Sequence, residues 1–126
     1  MRFDTLRGHT VLFLDADGPT ISAPEQSNDV IGDAWSGPAT IVAVPAGRFA
    51  PEFFVLQSLF AGEFIQKFVN YRLQLVLLGD IGEHLDASSA LRDFVWESNR
   101  GEHVWFLPDE VALDAKLAGR PHLSAD

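Results

Sequence analysis

The sequence contains no cysteine, which removes disulfides, thiolate metal sites and a cysteine nucleophile from consideration. Basic side chains are scarce. Nine Lys and Arg stand against eighteen Asp and Glu, for a net charge of -9. Nucleic-acid phosphates are bound by clustered Lys and Arg, so no nucleic-acid partner is expected. Long apolar runs are missing as well: the longest, Leu73 to Leu78, is interrupted by Gln74 and falls far short of a membrane span. Met1-Arg2-Phe3-Asp4-Thr5 leads into no apolar stretch of signal-peptide length. The expectation is a cytoplasmic protein with no membrane partner.

Catalytic signatures are equally sparse. There is no Gly-x-Ser-x-Gly elbow, and Ser88 and Ser89 read as helix caps. Gly79-Asp80-Ile81-Gly82 lacks the glycines and the lysine of a phosphate-cradling loop. His9, His84, His103 and His122 stand at no metal-ligand spacing, and Asp15 and Asp17 have no further oxygen ligands nearby. No catalytic residue, metal site or cofactor is expected.

What the chain does have is apolar content sufficient for one core: 47% of its 126 residues are hydrophobic, too many for disorder. Arg2 to Leu6 and Thr10 to Leu14 read as two strands joined by a turn at Arg7-Gly8-His9. Ser22 and Glu25 stand at capping-box spacing, with Pro24 in the first turn of a helix that runs to Trp35 and stops at Gly37-Pro38. Ala39 to Val44 and Leu73 to Leu78 are buried strands, and His103 to Leu107 is the last. Between them lie a helix from Pro51 to Asn70 and another, capped by Ser88 or Ser89, that ends near Asn99-Arg100-Gly101. A final helix starts at Pro108-Asp109-Glu110 and ends at Gly119. The pattern implies one α/β domain over residues 1–119. Its sheet has about five strands, an antiparallel N-terminal hairpin followed by parallel strands, with about four helices. A loose tail is expected over residues 120–126.

The Pro51–Asn70 segment stands out. Projected as a helix, Phe53, Leu56, Phe60, Phe64 and Phe68 form one stripe, widened by Phe54, Ala61, Ile65 and Val69 to an arc of roughly 200°, against the ~100° a surface helix needs. A neighbouring helix or a second subunit has to cover the excess. Glu52, Glu63, Gln66, Lys67 and Asn70 lie opposite, with Glu63 and Lys67 spaced for an ion pair. Asn70-Tyr71-Arg72 and Glu97-Ser98-Asn99-Arg100-Gly101 both fall where a helix ends and a parallel strand begins, hence on one edge of the sheet. Glu63, Gln66, Lys67, Asn70, Arg72, Glu97, Asn99 and Arg100 are therefore the candidate ligand- or partner-binding residues. The opposite edge, where open sheets usually bind ligands, offers Arg48, Asp80, Ser88, Ser89 and Asp109.

Ala61-Gly62-Glu63-Phe64-Ile65-Gln66-Lys67-Phe68-Val69-Asn70-Tyr71-Arg72, together with Ser89-Ala90-Leu91-Arg92-Asp93-Phe94-Val95-Trp96-Glu97-Ser98-Asn99-Arg100-Gly101, resembles a bacterial family, the domain of unknown function DUF4180. That family is similar to the STAS domains, the group that includes anti-sigma-factor antagonists, and the resemblance implies a STAS-like fold without assigning an activity. The chain departs from the family pattern where an acidic residue, a basic residue and a glycine are replaced by Val55, Gln57 and Leu59, and where Trp96 stands in place of a basic residue. Gly47-Arg48-Phe49-Ala50-Pro51-Glu52 offers no Ser or Thr for a phospho-switch of the STAS kind. The resemblance and the wide apolar arc point to a non-enzymatic STAS-like regulatory or protein-interaction module, with a protein partner or self-association through the Pro51–Asn70 helix. The alternative is a small-molecule (anion) binder or enzyme using Glu63, Arg72, Glu97 and Arg100.

Overall fold

A computed structural model describes residues 1–119 of the chain. The tail expected over residues 120–126, with His122, lies outside the described residues. Five strands form one sheet in the order β1 (Arg2–Leu6), β2 (His9–Phe13), β3 (Ile41–Pro45), β4 (Gln74–Leu78), β5 (Val104–Leu107). β1 and β2 are antiparallel and every later pairing is parallel, the mixed α/β arrangement expected from the alternation of elements. Leu6 pairs with His9, so the hairpin loop is only Arg7-Gly8, and both residues have positive φ (51° and 84°). This is the mirror-image turn that matches the twist of paired strands. It pulls His9 into β2, one residue earlier than its composition suggests.

Each parallel crossover returns over the same face of the sheet. Five helices occur among the described residues: α1 (Ser27–Trp35), α2 (Phe60–Asn70), α3 (Gly82–Ala87), α4 (Ser89–Arg100) and α5 (Glu110–Ala118). Alternation along the strands separates two cores. Leu12, Val42, Leu75, Leu77 and Phe106 face α1, α2 and α4, with Val30, Ile31, Phe64, Phe68 and Leu91 packed on them. Val11, Phe13, Ala43, Val76 and Trp105 face the other way, where Leu113 and Leu117 of α5 cover them.

The sequence predicts one helix from Pro51 to Asn70; the structure breaks it. Pro51–Phe54 and Leu56–Ser58 are short 3-10 turns, Val55 between them is extended, and Leu59 takes a left-handed conformation (φ 66°) before α2 begins. The Ser58 hydroxyl holds the break, donating to the Glu52 carbonyl at 2.7 Å and accepting from the Phe60 N–H at 3.2 Å. The break also resolves the over-wide apolar arc. In a straight helix Phe54 would sit to one side of the Phe53–Phe64 stripe, whereas here Phe53 and Phe54 are both buried in the same core as Phe64. Phe53 meets the Phe49, Phe60 and Phe64 rings at centroid distances of 4.2, 5.2 and 5.9 Å, and Phe54 stacks on His84 of α3 at 4.1 Å. Ile65 is buried and Val69 packs partly buried against the same core. Neighbouring elements of the chain itself cover the arc.

α2 ends at Asn70 as expected, but the left-handed residue that stops it is another. Asn70 is the last helical residue, and Arg72 takes the left-handed position (φ 58°). The Leu73 N–H donates to the Phe68 carbonyl at 2.9 Å and the Arg72 N–H to the Val69 carbonyl at 3.0 Å, the paired bonds of a Schellman stop. At the start of α1 the expected Ser22–Glu25 capping box is absent. Gln26 takes the role instead, its Oε1 accepting from the Ser22 and Ala23 N–H groups at 2.7 and 3.0 Å across the 3-10 turn Pro24–Gln26. The short α3 occupies a stretch between β4 and α4 for which the sequence predicts no element.

Candidate functional site

The edge beyond the strand C-termini is where open parallel sheets usually hold ligands. Here its polar side chains are engaged in capping. Ser88 accepts from the Leu91 N–H at 3.1 Å and Asp109 from the Ala112 N–H at 2.9 Å, capping α4 and α5, and Asp80 accepts from the Gly82 N–H at 2.8 Å in the turn that leads into α3. Arg48 lies across the loop after β2, donating to the carbonyls of Asp15 (2.7 Å) and Pro19 (2.9 Å). A Cβ on Gly18 would stand 2.5 Å from its guanidinium, so a larger residue there would make the arginine head shift.

An open surface occurs elsewhere, between α1 and α2. The two helices cross the same sheet face in the same direction and pack side by side. On α1, Ser27, Val30, Ile31 and Ala34 are buried, Asn28 and Trp35 lie toward α2, and Gly32 is exposed between them. On α2, Phe60, Phe64 and Phe68 point down, leaving Glu63, Gln66, Lys67 and Asn70 outward. A cleft of about 300 Å³ lies between them, with Pro24, Glu25 and Asn28 on one wall and Glu63, Gln66, Lys67 and Asn70 on the other. Its volume is at the small end of the range for ligand pockets.

Within the cleft, Gln66 Nε2 donates to Asn70 Oδ1 at 2.9 Å, which leaves the Gln66 oxygen and the Asn70 amino group for another partner. Glu63 and Lys67 have the spacing of a helix ion pair but form none among the described residues. Farther along, Trp35 and Tyr71 meet edge to face, with ring centroids 4.9 Å apart and planes at 85°. Both remain open to solvent, at 58% and 45% exposure. No side chain occupies the space over Gly32, where a Cβ would find nothing within 4 Å.

The candidate residues chosen from sequence therefore divide. Glu63, Gln66, Lys67 and Asn70 share the cleft. Arg72 ends α2 in its left-handed conformation, and Glu97 is exposed on α4. The Arg100 guanidinium lies 4.4 Å over the Trp96 ring. Asn99 clamps Phe106 of β5 through both its amide atoms. Of Glu63, Arg72, Glu97 and Arg100, only Glu63 lines the cleft. Pro24, Glu25, Asn28 and the Trp35–Tyr71 pair are what sequence reasoning missed. An aromatic at the end of each of two helices that enter the same sheet edge is the one signal, and it points only to the Trp35–Tyr71 pair.

Among the described residues, no group of three His, Asp or Glu side chains is placed to hold a metal ion. No helix there is long and apolar enough to cross a membrane. No curated protein and no solved structure matches the chain. The sequence model of one family, the domain of unknown function DUF4180, matches residues 6–117, nearly the full length described. The chain belongs to the DUF4180 family.

Proposed function

We propose that this chain is a non-enzymatic, STAS-like interaction module that engages a protein partner across the α1–α2 flank. The observation that carries the reading is the exposed Trp35–Tyr71 pair, whose Tyr71 follows directly after Asn70 of the cleft wall. Aromatic side chains of this kind lose little conformational entropy on contact and contribute large areas, which is why they are enriched at protein interfaces. The strand order supports the STAS-like part, because a hairpin followed by parallel strands in sequence order is similar to that fold. The apolar side of α2 is already covered by its own chain, so contact through this helix uses its outward side: Glu63, Gln66, Lys67 and Asn70.

Site-specific photocrosslinking in the host cell tests the reading. A photoreactive side chain at Asn28 or Asn70 is expected to give adducts of one discrete mass, and the same group at Glu83, exposed on α3, none. Absence of protein adducts from the flank, or equal labelling from all three positions, would overturn it.

A further inference from the structure

The geometry points to a specific kind of occupant for the α1–α2 flank: an extended partner segment carrying a proline and, about four residues away, a lysine or arginine. This rests on the protein-contact reading above and adds the chemistry of the partner. At one end of the flank, Glu25 and Glu63 outnumber Lys67, so the local charge favours a cation, as does the net charge of -9. At the other end, the perpendicular Trp35 and Tyr71 rings leave an aromatic face in solvent. Aromatic-lined grooves take proline because its ring packs flat on them and its extended backbone is already ordered.

Between the ends, the surface suits a main chain better than another bulky side chain. Gly32 offers bare backbone with open space above it. The Gln66–Asn70 hydrogen bond fixes both side-chain amides and leaves one acceptor and one donor, the complement of a single peptide group. Spacing sets the length. Glu63 and Tyr71 are eight positions apart along α2 and its cap, or about 12 Å at helical rise. A polyproline-type segment rises about 3.1 Å per residue, so roughly four residues separate the cation from the proline.

The test uses the full chain, isotopically labelled for NMR, titrated with three short synthetic peptides. One carries an arginine four positions from a proline, the second has that proline changed to alanine, and the third has the arginine changed to glutamate. The first is expected to bind saturably, moving the Trp35 indole, Gly32 and Asn70 signals. Each altered peptide is expected to bind at least about tenfold more weakly. Gly32→Leu fills the open space on an exposed helix position with a better helix former, so it should fold as well as the parent and lose the peptide. Equal binding of the three peptides, shifts away from the flank, or unchanged binding by a folded Gly32→Leu would overturn the inference. If no peptide binds while crosslinks from Asn28 and Asn70 persist and Gly32→Leu abolishes them, the occupant is wrong and the protein-contact reading stands. If those crosslinks join two copies of the chain, the occupant is a second copy and the inference is likewise overturned.

Discussion

The side-chain amide of Asn99, at the end of α4, makes both backbone hydrogen bonds of Phe106, accepting from its N–H at 2.7 Å and donating to its carbonyl at 3.1 Å. β5 is an edge strand of the sheet, and the asparagine stands where another strand would pair. Lys116 of α5 donates to the Asn99 carbonyl at 2.8 Å, fixing the clamp from the other side. Asn99→Ala should destabilise the fold by about 1–3 kcal/mol, because a buried residue loses both partners. Asn99→Asp keeps the acceptor and loses the donor facing the Phe106 carbonyl, so it should also be destabilising. Urea unfolding of the two variants checks both.

Leu59 occupies a left-handed conformation with 65% of its side chain exposed. It therefore carries the steric cost of that region and recovers little by packing. Leu59→Gly should stabilise by about 1 kcal/mol, the gain reduced by the greater freedom of glycine in the unfolded chain. A thermal melt that shows no rise for Leu59→Gly would refute the assignment of strain there.

Ser27 lies in the first turn of α1 and is fully buried, and its hydroxyl has no hydrogen-bond partner among the described residues. Ser27→Ala removes the uncompensated group at almost no cost in volume and improves helix propensity. Stabilisation of about 1 kcal/mol is expected in chemical denaturation. A loss of stability would mean that the hydroxyl is satisfied in solution.

Two surface ion pairs set an acid dependence. The terminal ammonium donates to Asp15 at 2.6 Å, and Arg7 forks onto Asp114 with both contacts at 3.1 Å. In each case the hydrogen bond from the cation is the main reason that the carboxyl titrates below the usual aspartate range. A carboxylate depressed in the folded state contributes stability that is complete above its unfolded pKa and is lost as pH falls through the folded one. Asp114→Asn should therefore melt below the parent at neutral pH, and the gap should close as pH falls through and below the aspartate range. Both groups are exposed, so the difference should be small and should shrink further in high salt. A gap that persists unchanged into acid would contradict the pairing.

The strands were legible because their signal is local: short β-branched and leucine-rich runs bounded by Gly and Pro, each found to within two residues of its observed bounds. The Pro51–Asn70 helix misled for a physical reason. Phe53, Phe54, Phe60 and Phe64 fit a helical period, and no proline or glycine interrupts residues 52–60 to announce the break at Leu59. Arg72 and Asn99 look like ligand residues in a sequence, since their roles depend on one backbone angle and on a strand seven residues away. The α2 wall of the cleft could be read from the polar side of one helix. The α1 wall could not, because which flank of α1 meets α2 is decided by tertiary packing.

The five strands lie side by side in the order in which the chain is read. No strand has to be threaded between two that are already paired, and each new one finds its neighbour waiting. A chain emerging from the ribosome can thus lay down the sheet from the amino end, one crossover at a time, each new strand adding to the edge made last. The exception is α5, whose Glu110 and Asp114 reach back to Arg2 and Arg7 of the first hairpin. Those contacts join the earliest and latest parts of the described chain, and they form only once synthesis has passed them.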